Sequence, residues 1–156
     1  MKEDLRVPTV AMPAEVLLDS GERLEGQVFL PSLASRHSGQ PRPDEWINQP
    51  TDFFPFLAEG HRQALILNKA TVRAISLPIT PELSLEGAST GFTSSVMVQM
   101  GETLFEGTLL IDMPVERTRV LDYLNHVEKF MPMWSPTAYH LIRKSCITRI
   151  TEMEES

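Results

Sequence analysis

Apolar and polar positions alternate along Arg23 to Leu30, with Leu24, Gly26, Val28 and Leu30 on one face and Glu25 and Gln27 on the other. Side chains of an extended chain point alternately to its two faces, so a period of two predicts a half-buried strand. Ala14 to Leu18 reads as its hairpin partner, with Asp19-Ser20-Gly21-Glu22 between them and Gly21 supplying the positive φ of the turn. The pattern returns at Val96 to Met100 and Thr103 to Ile111, with one more residue between Gly101 and Gly107 than between Gly21 and Gly26. An extra residue at a fixed place in a hairpin predicts a β-bulge. Gly26 and Gly107 fall where a strongly curved strand needs room for a close backbone. The spacing changes at Val120, Leu121, Leu124 and Val127, which lie three or four apart. That predicts a short amphipathic helix, with Asp44 to Asn48 as its shorter counterpart. Asn48 and Asn125 fall where each helix stops, and asparagine tolerates the left-handed conformation of a cap.

The same order of landmarks runs through both halves. Trp46-Ile47-Asn48 is answered by Tyr123-Leu124-Asn125, Phe53-Phe54-Pro55-Phe56 by Phe130-Met131-Pro132-Met133, and Asn68 to Ile75 by Arg143 to Ile150. The chain therefore reads as a duplicated module, residues 1–80 and 81–156, packed as a pseudo-twofold pair. Each module is strand, strand, short helix, then three strands: Phe53 to Leu57, Ala64 to Asn68 and Val72 to Leu77, repeated as Phe130 to Trp134, Tyr139 to Arg143 and Ile147 to Thr151. Val7 to Pro13 is too proline-rich for a central strand and reads as an extended lead-in or edge piece. Pro31 to Pro43 reads as a flexible surface loop and Pro78 to Gly91 as the linker. About seventy residues is close to the lower limit for a self-supporting core, so the modules should lean on each other.

Five bent antiparallel strands in so few residues predict a small barrel, because closure removes edges that a short sheet cannot protect. The expected class is mainly β: two tandem small Sm-like or SH3-like barrels, each five-stranded with an inserted short helix. Val16 to Val28 is similar to the first Sm motif and Leu65 to Ile75 to the second, and Val96 to Leu109 and Leu141 to Ile150 repeat them. On these motifs, about half of each module, the chain resembles the Sm/Hfq class. The resemblance implies an RNA-binding alternative in which Lys69 and Lys144 lie near base-contacting positions. The histidine that follows this lysine in Hfq-like proteins is replaced by Ala70 and Ser145.

Of 156 residues, 42% are hydrophobic and 22% charged, as in a soluble globular protein, and no run reaches the length of a membrane span. The single cysteine, Cys146, excludes an internal disulfide framework and fits a reducing compartment, so a cytoplasmic location is expected. The net charge of −7 is weighted to the second half, which carries 6 Lys/Arg against 11 Asp/Glu. That balance disfavours a polyanion partner, since nucleic acid binds by charge neutralisation.

No residue pattern supports an enzyme. His37, His61, His126 and His140 lack ligand spacing, so neither a metal nor another cofactor is expected. Cys146 aligns with Thr71, so that position does not demand a thiol, and Glu25 and Glu106 need be nothing but solvent-facing residues of a strand. The dense apolar runs at 53–57 and 130–134 carry more weight. Alternate members must point to opposite faces, so if one face fills a core the other needs cover. Phe54, Phe56, Met131, Met133 and Trp134 are the candidate patch for a protein partner, and a homo-oligomer stays open. The expected function is a non-enzymatic adaptor or scaffold.

Overall fold

The computed structural model describes residues 9–31, 42–85, 91–112 and 120–153. Ten antiparallel strands form one open sheet: β1 (Thr9–Leu18), β2 (Arg23–Pro31), β3 (Phe53–Ala58), β4 (Leu65–Asn68), β5 (Val72–Pro78), β6 (Phe92–Met100), β7 (Thr103–Ile111), β8 (Phe130–Trp134), β9 (Ala138–Arg143) and β10 (Arg149–Glu152). Helix α1 (Pro43–Ile47) precedes β3 and α2 (Val120–Leu124) precedes β8. The strand order is β10-β6-β7-β8-β9-β5-β1-β2-β3-β4. The first five strands and the last five thus follow the same local order, and β5 joins β9 between them.

No ladder closes either half on itself among the described residues, so the closed barrels expected from edge protection are not detected. The expected twofold is not present either. A twofold that placed β5 beside β9 would also place β10 beside β4, whereas these two strands stand at opposite ends of the sheet.

The joint shows how the halves are held. Ala74 pairs with Ile142 and Ile75 with Leu141, and successive residues of a strand face opposite ways. Ile75 and Leu141 belong to a core with Val16, Val28, Phe54, Phe56 and Leu77. Ala74 and Ile142 belong to the other, with Val96, Val98, Leu109, Met131 and Met133. The two cores therefore lie on opposite faces of the joint, one for each half. The first core also takes in Phe130, Trp134 and Tyr139 from the second half, so the mutual support expected from small size is present.

Several local expectations need correction. Thr9 to Pro13 is part of β1, paired continuously with β2 from Thr9↔Pro31 to Leu17↔Arg23. The predicted bulge in the second hairpin is absent, because β6 and β7 pair without a register shift down to Met100↔Thr103. The extra residue lengthens that ladder around a two-residue turn, where Gly101 takes φ +61. The counterpart of Ala14 is consequently Val96, each facing its half's strand glycine. The sheet's register shift lies between β1 and β5, where Leu17 faces Ala74 and Leu18 faces Val72. The linker is anchored: Leu83 is buried and its carbonyl accepts from the Trp134 indole N–H at 2.6 Å. The centre of the loop expected at Pro31 to Pro43, together with Val7, Pro8 and residues 86–90, lies outside the described residues.

The strand glycines do what the curvature argument asked. A Cβ on Gly26 would meet the Leu57 carbonyl oxygen, and one on Gly107 the Trp134 carbonyl oxygen. Leu57 and Trp134 are themselves counterparts, each two residues beyond the matched proline.

Candidate functional site

The partner patch read from the sequence is not on the surface. Phe54 and Phe56 fill the first core and Met131 and Met133 take the same positions in the second. Trp134 points the other way, into the first core, with its ring edge-on to Tyr139. All five are buried because the inward face of β3 or β8 fills its own half's core, and the outward face of β8 is covered by the first half.

The outward face of β3 has no such cover. Phe53 faces Asn68 and Pro55 faces Ile66, so Phe53, Pro55 and Ile66 share a face along the β3–β4 edge. Phe53 is 53% exposed and Ile66 75%. Their counterparts in the second half, Phe130 and Leu141, are 2% and 0% exposed. The free edge of β4 lies beside this patch. Phe54 and Phe56, expected on a surface, are the inward members of this run; nothing local distinguishes the two faces of Phe-Phe-Pro-Phe.

A groove of about 1020 Å³ opens between the ends of both helices and the 3₁₀ turns that precede β5 and β10. Lys69, Lys129, Arg143, Lys144 and Arg149 line it, with Asp52 and Glu128. Most of its inner cations already have protein partners. Lys69 Nζ donates to the Gln49 carbonyl and to Thr51 Oγ1, both at 3.0 Å, and burial pulls its pKa down. Lys144 Nζ donates to the carbonyls of Leu124 at 2.7 Å and Val127 at 2.6 Å. Each lysine ties its turn to the chain beyond the short helix, where free carbonyls attract a cation. Arg143 binds both Asp19 carboxylate oxygens, at 3.0 and 3.1 Å, and donates to the Val72 carbonyl at 2.8 Å.

Asn48 caps α1 as expected, but its second role, to Phe130, was not foreseen from the sequence. Its φ of −89° is not left-handed. The amide nitrogen donates to the carbonyls of Asp44 at 2.9 Å and Phe130 at 3.0 Å, while Oδ1 accepts from the Phe130 N–H at 2.9 Å. One side chain thereby acts like a short piece of strand against β8 and fastens the two halves. Its counterpart Asn125 is exposed, and its amide has no hydrogen-bond partner among the described residues.

His140 and Cys146 are held by neighbouring side chains. His140 bridges Ser76 Oγ at 2.7 Å and Ser135 Oγ at 3.2 Å, and burial lowers its pKa to about 4. Among the described residues no charged partner faces that imidazole to support general-base chemistry. The Cys146 thiol, near Asp19 Oδ1 at 3.7 Å, is pushed up by burial, the opposite of an activated nucleophile. Glu25 and Glu106 are exposed on strand faces, His61 and His126 are exposed, and His37 lies outside the described residues. Among the described residues no three His, Cys, Asp or Glu side chains group as metal ligands, and no helix is long and apolar enough to cross a membrane. No family model, curated protein or solved structure matches the chain.

Proposed function

We propose that this is a non-enzymatic protein–protein interaction module, an adaptor or scaffold that binds through its β3–β4 edge. The observation that carries this reading is the exposed face of Phe53, Pro55 and Ile66 beside unpaired β4 backbone. An uncovered strand edge with apolar side chains is a template for an added strand, and soluble proteins usually blunt such edges. The finer architecture belongs to the same proposal: each half is an incompletely closed, Sm-like small barrel curled around its own core. Opposite-face cores at the joint and the matched close approaches of Gly26 and Gly107 support it. Ile66→Lys and Phe53→Ser, both at exposed positions, should abolish co-purification of specific protein partners from the native cell without changing Tm. Unchanged recovery of every partner by both variants would refute the edge as the binding surface.

A second reading, Sm-like RNA binding, is favoured by the cationic lining of the groove. It predicts affinity that falls steeply with salt. The engagement of Lys69 and Lys144 by backbone carbonyls leaves Lys129 and Arg149 as the groove's exposed cations to make such contacts.

A further inference from the structure

The β5–β9 joint brings together two unlike strands, and each has a counterpart left unpaired. β10 is the counterpart of β5: Val16↔Ile75 in the first half is matched by Val98↔Ile150 in the second. β4 is the counterpart of β9: Pro55↔Ile66 is matched by Pro132↔Leu141. These two strands form the ends of the sheet. We infer that the occupant of the β3–β4 edge is the β10 edge of a second copy of this chain, which repeats the internal joint between molecules. This rests on the edge reading above and names its partner.

The register follows from the joint. Ala74↔Ile142, Ile75↔Leu141 and Ser76↔His140 carry over as Arg149↔Leu67, Ile150↔Ile66 and Thr151↔Leu65. Ile150 would then lie against Ile66, as Ile75 lies against Leu141, and the latter two are fully buried. The same operation accounts for the other unsatisfied features. Asn125 takes the place of Asn48, so its free amide faces the backbone of the next copy's Phe53, the counterpart of Phe130. Phe53 becomes covered by the second core of the neighbour, as Phe130 is covered by the first core here. An exposed phenylalanine, an exposed isoleucine and an unpartnered asparagine are thus explained by one contact.

Such a contact joins unlike surfaces, so each copy keeps one edge of each kind and assembly continues, closing into a ring or running on as a filament. The test uses the full chain. Sedimentation of the wild type should show species beyond the monomer that grow with concentration. Ile66→Lys and Ile150→Lys should each weaken association about 30-fold or more, because a charge would enter the buried centre of the contact. Each variant spoils a different edge, so mixing the two should restore a one-to-one complex and nothing larger. A mixture that stays monomeric, a wild type that stays monomeric at all concentrations, or either variant assembling like the wild type would overturn the inference. If the wild type is monomeric yet Ile66→Lys still loses a cellular protein, the edge reading survives and the self-partner fails. If that protein is kept as well, both fall.

Discussion

Replacing Asn48 by alanine separates the clamp between the halves from every other contact. The truncation removes hydrogen bonds at 2.9, 3.0 and 2.9 Å, two of them to the N–H and carbonyl of Phe130. Phe130 opens β8 and is buried, so water reaches those groups poorly. At a net value near 1 kcal/mol for each bond, with an added desolvation cost for the two orphaned backbone groups, the loss is about 2–4 kcal/mol. For a chain of this length that lowers Tm by roughly 5–12 °C. Asn125→Ala deletes the matching amide where it has no partner, so in dilute protein it should change stability by less than about 0.5 kcal/mol. Asn48→Asp keeps an acceptor for the Phe130 N–H but sets a carboxylate against two carbonyl oxygens, so it should be no better than alanine. Thermal and urea melts of the three variants, read by Trp46 and Trp134 fluorescence, decide the matter. Equal, small effects of Asn48→Ala and Asn125→Ala would refute the assignment of Asn48 as an interhalf clamp.

Gly26→Ala and Gly107→Ala should each cost about 3 kcal/mol or more, because the new methyl meets a carbonyl oxygen of the neighbouring strand, whereas Gly101→Ala, with open space at positive φ, should cost about 1 kcal/mol in the same urea melts. Arg143→Lys cannot reproduce the two-oxygen grip on Asp19 together with the Val72 bond and should cost about 1–2 kcal/mol, with Asp19→Asn non-additive in a double-mutant cycle. His140 is depressed by burial from 6.5 to about 4, so its contribution to stability is fully present above pH 6.5 and is lost as pH falls toward 4. The full shift would correspond to about 3 kcal/mol, and roughly half that once partial solvent access is allowed for; His140→Gln should flatten pH-dependent urea melts in this window by that amount. Filter binding of RNA at physiological salt should show nothing tighter than about micromolar affinity, and a submicromolar, salt-steep complex lost with Lys129→Ala and Arg149→Ala would move the account to the second reading.

Much of the fold was legible because its determinants are local. The period-two pattern of Leu24, Gly26, Val28 and Leu30 placed β2, the spacing of Val120, Leu121 and Leu124 placed α2, and the repeated landmarks predicted the repeated strand order. What failed depended on long-range pairing. Matching Gly21 to Gly101 aligned turns of different construction, which made the extra residue look like a bulge when it only lengthens the β6–β7 ladder. The pairing of β5 with β9 has no local signal, and without it neither the open sheet nor the cover over Phe130 and Trp134 could be foreseen. The same gap explains the misplaced patch. Alternation shows that Phe53 and Phe54 face opposite ways, but which one is covered depends on what lies beyond β4. Asn48 likewise looks like any helix-terminal asparagine until Phe130 is brought to it from the other half.

The repetition of the β5–β9 joint by the free edges is tested most directly by amide hydrogen exchange as a function of protein concentration. The amides of Ala74 to Leu77 and Tyr139 to Ile142 should be slow at every concentration, since that ladder is internal. The amides of Ile66 and Ile150, which alternate with those already bonded to β3 and β6 and point to the free edges, should be fast in dilute protein and become protected together as concentration rises. Edge amides that stay fast in concentrated protein, or protection of one edge without the other, would contradict head-to-tail pairing of unlike strands.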